Sequence, residues 1–370
     1  MASNPAKFRK VVGCMTGTSL DGIDAALLEI DGEGMAMQCR FVAGVSDDLG
    51  ELKQPLRELA EQRPMTAGAI ASLAREFALL HARVVQRLLA GRQADLICVH
   101  GQTVFHKPPV SWQLFEPAPL VHATQTPVVF NLRQADLARG GQGAPITPVA
   151  DRVLFMGKPL GAGRVHLVVN LGGFCNVTHA PIVDHRSGED SLVHGVDLCA
   201  CNHILDFIAR SYLHMPYDHD GARATQGDVQ EHLLRDFVSA LRGQAAQGRS
   251  LGTGDELTSY IASLASRVAP NDIAATACHA IAQTVREAVP RSLDCALLAG
   301  GGVKNRALLQ AFQQRFKYCD STSAVGVPAE YREAACFAVL GALVDDSKPI
   351  YVADQQVSDG FPLAGNWAYP

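Results

Sequence analysis

The sequence has no run of lysine and arginine, no apolar stretch approaching the roughly 20 residues that cross a bilayer, and few aromatics, 6% of 370 residues. With a formal net charge of −5, the missing basic stripe argues against a nucleic-acid binder. The missing apolar run argues against a membrane-spanning helix. Residues 1–10 lack the long apolar core of a signal peptide, so a cytoplasmic protein is expected. Metal-ligand spacing is scarce too. Cys199-Ala200-Cys201 is the sole close pair among ten cysteines, with no second pair or spaced histidine to complete a four-ligand zinc site. Cys14, Cys39, Cys98, Cys175, Cys278, Cys295 and Cys336 stand among Val, Leu, Ala and Phe. They read as small buried hydrophobes of a reducing compartment.

What is present is a chain with 48% hydrophobic residues, 33 glycines and 19% charged residues, long enough for two domains with cores of their own. Strand-like segments near 10–15, 25–30 and 38–44 precede a helix in which Ile70, Leu73, Phe77, Leu80, Val84 and Leu88 recur every three or four residues. Apolar strands at 94–99 and 127–130 follow, and such strands alternating with helices imply a sheet covered on both faces. The stretch 157–163 is rich in Gly and Pro and reads as a linker. After it the opening pattern recurs: a strand at 165–170, a glycine turn at Leu171-Gly172-Gly173, and a return strand. The duplication predicts two similar lobes, 1–156 and 157–370, with a cleft between them and the final helix and tail packing back on the first.

Glycine turns carry the chemistry. Gly13-Cys14-Met15-Thr16-Gly17-Thr18-Ser19-Leu20-Asp21-Gly22-Ile23-Asp24 reads as a strand end, a hydroxyl-rich hairpin tip and a return strand. Such a tip can wrap phosphate oxygens with backbone N–H groups and hydroxyls, without a Walker lysine. An ordinary Gly/Ser/Thr turn fits the same residues. Gly195-Val196-Asp197 ends a short strand before a helix from Asn202, and the acid there suits a general base, a magnesium ligand or a helix N-cap. In Leu297-Leu298-Ala299-Gly300-Gly301-Gly302-Val303-Lys304-Asn305, three glycines let backbone lie flat against a nucleotide. Arg139-Gly140-Gly141-Gln142-Gly143-Ala144-Pro145 adds a further loop. Together the turns and a lone acid suit phosphoryl transfer, where positioning and electrostatics do most of the catalysis. His100, beside Gly101, reads as a hydrogen-bonded structural residue. Asp218 and Asp220 lack the remaining ligands of a calcium loop and read as a turn.

With these motifs in order, the chain resembles the anhydro-N-acetylmuramic acid kinases, in the superfamily of sugar kinases, actin and the heat-shock ATPases. The resemblance runs nearly end to end. It includes the opening turn, His100-Gly101-Gln102-Thr103, Gly140-Gly141-Gln142-Gly143-Ala144-Pro145, Asn170-Leu171-Gly172-Gly173-Phe174-Cys175-Asn176, Asp218-His219-Asp220-Gly221, the glycine triplet, Glu333-Ala334-Ala335-Cys336-Phe337-Ala338 and Ala364-Gly365-Asn366-Trp367. It implies two ribonuclease-H-like lobes flanking an active-site cleft, a homodimer, and an enzyme that uses ATP and Mg2+. That enzyme cleaves the 1,6-anhydro bridge of anhydro-N-acetylmuramic acid with water and phosphorylates O6 in cell-wall recycling. By motif, Gly17, Thr18, Ser19, Leu20, Asp21, Gly22, Ile23 and Asp24 would clamp the ATP phosphates. Gly172, Gly173, Asn176, Gly301, Gly302 and Asn305 would complete the nucleotide site. Asp197 would be the catalytic base, and Thr103, Arg133 and Glu333 would face the sugar.

One departure stands out. Where the family usually follows its acid with Thr-Gly-Pro-Gly-Asn, this chain has Leu198-Cys199-Ala200-Cys201-Asn202. Side chains thus replace the glycines expected to approach the phosphates. Asn131 stands where the family often has Asp, and Asp151 where it often has His. Two other readings remain compatible with these differences: a kinase for a different sugar, and a nucleotide- or sugar-binding sensor without turnover.

Overall fold

The strands β1 (Phe8–Thr16) and β2 (Gly22–Asp31) are buried through their middles on both faces. Strands covered on both sides show that pattern. In the computed structural model, which describes residues 7–17, 20–180, 193–246, 251, 257–264, 268–348, 350 and 364–370, the chain divides into two units. The first is Met1–Leu154 with Tyr331–Pro370, and the second is Phe155–Glu330.

In the first unit, β1 and β2 form a hairpin, and β3 (Gln38–Asp48) pairs antiparallel with β2. On the other side β4 (Leu96–Val99) pairs parallel with β1, and β7 (Val128–Phe130) parallel with β4. The last strand, β15 (Asn366–Ala368), closes the row antiparallel to β7. A separate hairpin joins β5 (Gln102–Lys107) to β6 (Val110–Leu114). Short helices α1 (Lys53–Ala60), α3 (Ala118–Thr124), α4 (Gln134–Ala138) and α5 (Pro148–Phe155) fill the connections.

Two long helices cover the first sheet. The Thr66 hydroxyl caps α2 (Ala67–Leu89) by accepting from the Ala69 N–H at 3.2 Å, and Ala90 ends it in the left-handed conformation. Its face of Leu73, Phe77, Leu80, Val84 and Leu88 packs into one core with Val12, Cys14, Ile23, Ala25 and Leu27. Along α11 (Arg332–Asp345) every residue from Ala334 to Val344 is buried. A helix apolar on all sides is a core helix. At Gly13 the fit to α11 is backbone against backbone, because a Cβ there would overlap the Ala334 carbonyl and the Ala338 nitrogen.

The second unit repeats the plan. β10 (Leu167–Leu171), β11 (Phe174–His179) and β12 (His194–Ala200) are successive antiparallel strands. β13 (Cys295–Ala299) runs parallel to β10, and β14 (Tyr318–Ser321) parallel to β13. Three antiparallel strands followed by parallel ones on the far side of the first is the arrangement of both sheets, as the duplication and the ribonuclease-H-like resemblance predicted. Its core gathers α6 (Asn202–Tyr212), α7 (Glu231–Ala245), α9 (Pro270–Ala288) and α10 (Arg306–Gln313) against the sheet, with α8 (Thr258–Leu264) beside α6.

Two expectations need correction. The stretch 157–163 is not a linker: β8 (Pro159–Leu160) and β9 (Gly163–Arg164) form a tight hairpin in the second unit. The division by contacts falls at 154/155, beside the 156/157 boundary read from the sequence, and 331–370 lies with the first unit because α11 packs on β1, β2 and β4 and β15 pairs with β7. Asp197 does not end its strand. β12 continues to Ala200, so Asp197 is not the N-cap of α6, a position held by Cys201.

Candidate functional site

The opening hairpin of the first unit is in register from Phe8–Asp31 to Thr16–Ile23. Its tip turns between Gly17 and Leu20, where the Leu20 N–H donates to the Gly17 carbonyl at 3.1 Å and Leu20 takes φ +56°. Thr18 and Ser19 lie outside the described residues. Thr16 is buried, and its hydroxyl has no partner among the described residues. Leu20 and Ile23 are core side chains, so only their backbone could serve a ligand. Gly22 presses on the Asp47 carbonyl of β3, Ser46 Oγ donates to Asp24 Oδ1 at 2.5 Å, and exposed Asp21 lies 3.5 Å from Lys53.

A polar network in the same unit joins the predicted sugar residues. Arg133 Nε donates to His100 Nε2 at 3.1 Å, and Arg133 Nη1 donates to the Gly143 carbonyl at 2.5 Å. Because guanidinium can only donate, His100 Nε2 must accept and Nδ1 carries the proton toward the Gly101 carbonyl at 2.9 Å. Burial, with the Arg133 charge beside it, holds His100 well below the ordinary histidine value, so the ring is neutral. His100 thus orients Arg133 and is the structural residue its position suggested. Asp136 Oδ2 accepts from the Gly143 N–H at 2.6 Å, tying the glycine loop to the same place. On the hairpin, Gln113 Nε2 lies 3.4 Å from Thr103 Oγ1 and 2.8 Å from Ser111 Oγ, which sits 2.9 Å from His106 Nδ1. Gln134, next to Arg133, donates to the Ser111 carbonyl at 2.6 Å. Thr103 and Arg133 are therefore linked.

Glu333 is partly exposed in the first turn of α11. One turn on, the Phe337 ring lies 4.8 Å from that of His100, which brings α11 to the Arg133 network. Preceding Glu333, Arg332 is fully buried and makes a two-pronged ion pair with buried Asp151, Nε to Oδ1 at 2.8 Å and Nη2 to Oδ2. Coulomb attraction to Asp151 outweighs burial and raises the Arg332 pKa above its ordinary value. In this chain the acid at position 151 thus neutralises the buried Arg332. Asn131, the other departure, takes φ +58° and donates from Nδ2 to Asn366 Oδ1 at 2.9 Å.

In the second unit two glycine turns converge. The Gly172–Gly173 turn joins β10 to β11, and the Gly300–Gly302 turn follows β13 with Gly300 at φ +82°. A Cβ on Gly300 would meet Asn170 Oδ1 and the Leu171 carbonyl at 2.8 Å, and one on Gly302 would meet Leu171 Cβ at 2.8 Å and Asn202 Oδ1 at 3.0 Å. Glycine is required here for close packing of backbone on backbone. Asn202 Nδ2 donates to the Leu171 carbonyl at 3.0 Å, so this side chain bridges both turns. Asn305 caps α10 by accepting from the Leu308 N–H at 3.1 Å, and Gly221 packs against it. Asp218 accepts the Arg223 and Ala224 N–H groups at 2.9 Å each, which makes it a turn residue.

Asp197 sits opposite Asn176 across β11 and β12, partly exposed, with Oδ2 accepting from the Leu251 N–H at 3.1 Å. The side chains of Cys199, Ala200 and Cys201 are fully buried in the core beneath α6 and α9. Their bulk therefore goes into the core. The N–H groups of Cys201 and His203 donate to the Gly173 carbonyl at 2.9 and 3.2 Å, and that of Asn202 to the Gly172 carbonyl at 3.0 Å.

Residues 9–353 match the family model described as anhydro-N-acetylmuramic acid kinase. The chain belongs to this family. Curated relatives of that name include one from Bordetella avium, 34% identical over 355 residues, covering 92% of this chain and 91% of the relative. Another from Acaryochloris marina is 33% identical over 351 residues, covering 89% and 92%. A third, from Salinibacter ruber, is 32% identical over 361 residues, covering 90% and 89%.

Sequence reasoning missed His100 as the holder of Arg133, the Ser111–Gln113 pair and Asn202 as a bridge. Ser111 and Gln113 carried a usable signal, being polar at alternate positions of a strand and hence on one face.

Proposed function

We propose that this chain is an ATP-dependent kinase that opens the 1,6-anhydro bridge of anhydro-N-acetylmuramic acid and phosphorylates O6, giving N-acetylmuramic acid 6-phosphate and ADP. Membership of the family over nearly the whole chain carries this reading. In the reaction, water oxygen bonds to C1 as the C1–O6 bond breaks, and O6 takes the γ-phosphoryl group as its bond to the ADP oxygen breaks. Asp197, partly exposed on β12 and opposite Asn176, is the base that accepts the proton of the water. A positioned base of this kind contributes roughly 10²–10⁴ in rate.

Thr103, Arg133 and Glu333 hold the sugar, with Arg133 oriented by His100 and Gly143. By family motif, residues 17–24 and 172–173 are assigned to the phosphates, and Gly301, Gly302 and Asn305 to the adenosine. Among the described residues no group of three His, Cys, Asp or Glu side chains would hold a metal alone. That suits Mg2+ arriving on the phosphates and keeping several waters. No helix of the described residues is long and apolar enough to cross a membrane. The reading includes a cytoplasmic homodimer, which sedimentation would test.

The deciding experiment incubates the protein with ATP, magnesium and the anhydro-sugar in ¹⁸O-labelled water. Label at C1 with phosphate on O6 is expected. ADP formed without that product, or no ADP at all, overturns the reading.

A further inference from the structure

We propose that His203 is a nucleotide-phosphate ligand, whose imidazole does the work that backbone amides of the loop after Asp197 would otherwise do. The proposal rests on the reading of the Gly172–Gly173 turn as phosphate-facing. Three successive amides, those of Cys201, Asn202 and His203, are already donated to the carbonyls of Gly172 and Gly173. A donated N–H has no second proton to offer an anion. A phosphate reaching this turn thus finds the loop closed on the hairpin.

What it finds instead is a ring. A Cβ added to Gly173 would lie 2.5 Å from His203 Nε2 and 3.0 Å from both neighbouring ring carbons, so the imidazole occupies the space over that glycine. With this ring in place the turn leaves no room for a side chain at position 173. The ring is held edge-on against Phe174, centroids 4.8 Å apart, and is partly exposed. Neither ring nitrogen has a hydrogen-bond partner among the described residues. A fixed, partly exposed donor with an open nitrogen at the turn can bond a phosphate oxygen, and the bond is stronger for being made to a charged group.

The test is calorimetric binding of ATP, ADP and adenosine to the wild type, His203→Phe and His203→Gln, with thermal unfolding of each. His203→Phe keeps a ring over Gly173 and removes the donor. ATP and ADP are expected to weaken about tenfold, the size of one hydrogen bond to a charged group. Adenosine should bind unchanged. His203→Gln, which keeps an N–H donor, should recover part of the loss. Wild-type affinity for ATP in His203→Phe, or equal weakening of adenosine, overturns the assignment and leaves the ring a packing residue. A wild type that binds neither ATP nor ADP overturns the reading of the turn and the assignment with it.

Discussion

The two units share a sheet plan and differ in what fills it. In the first, the hairpin tip between β1 and β2 is backed by the Thr16 hydroxyl, without a partner among the described residues, and its flank carries charged groups, Asp21 and Asp24. The second unit's hairpin is closed over by its own neighbour, with three amides and an imidazole laid on two glycines. The interiors differ as well. Both units bury thiols, Cys14, Cys98 and Cys336 in the first and Cys175, Cys199, Cys201 and Cys278 in the second, but among the described residues only the first also buries Arg and Asp (Arg332 with Asp151) and His (His81, His100). One plan therefore supports a charged core in one unit and an apolar core around the acid-bearing strand in the other. The first unit's stability should answer to pH and to loss of a charge partner, and the second unit's variants should show mainly in turnover.

The largest effect that would sharpen this contrast belongs to the second unit. Asp197→Asn should lower kcat by about 10²–10⁴ while leaving the melting temperature and ATP affinity close to wild type. If ADP release with the anhydro-sugar were unchanged, the base lies elsewhere.

Next comes the first unit's buried pair. Asp151→Ala leaves Arg332 charged and fully buried, and removing one partner of such a pair costs about 3–5 kcal/mol in chemical unfolding. Asp151→Ala combined with Arg332→Met should regain most of that, because the charge itself is gone. An Asp151→Ala protein as stable as wild type would show that water reaches Arg332.

At Gly13, substitution by Ala forces a methyl between β1 and the α11 backbone, where no side chain can move aside. Overpacking of this kind costs about 1–3 kcal/mol. No comparable loss is expected from Gly243→Ala in α7, where a Cβ meets nothing. Equal effects at the two glycines would remove the argument that α11 is fitted to β1 by backbone contact.

Much of this architecture was legible in local pattern. Apolar runs at 10–15, 96–99 and 167–171, and the three-to-four-residue spacing from Ile70 to Leu88, report strands and a helix directly because burial follows their periods. The glycine turns were visible because glycine marks strained or close-packed backbone. What a glycine is close to was not visible. Gly13 makes room for a helix more than 300 residues away in the chain, and Gly173 for the ring of His203. Likewise Asp197 was read as the end of its strand, yet β12 runs on to Ala200 and the side chains of Cys199 and Ala200 enter the core. Long-range fit decides these cases, and pattern over a dozen residues does not carry it. The duplication of strand and glycine turn was visible, whereas the residues of α11 that fit against β1 were not, since that contact is made by packing.

The smallest expected effect tests the charged-core side of the contrast. His81 is buried between Phe77 and Phe115, with Nδ1 2.9 Å from the Phe77 carbonyl and Nε2 without a partner among the described residues. Burial lowers its pKa from 6.5 to about 4. The unfolded chain therefore takes up a proton near pH 6.5 that the folded chain refuses until about pH 4. His81 costs no stability above pH 6.5, and stability is lost as pH falls through that window. One pH unit below 6.5 the loss from His81 is about 1 kcal/mol, since one unit of linkage is about 1.4 kcal/mol. His81→Leu abolishes this term, so the fall in stability between pH 7.5 and 5.5 should shrink by about that amount relative to wild type. The comparison needs only denaturant midpoints at the two pH values. His100, held low by burial and by Arg133, contributes to the same slope and stays in place in the variant, so the slope should flatten without vanishing. If the wild type and His81→Leu lose the same stability over this range, the ring is hydrated in the folded protein, and the first unit is less dry than its packing implies.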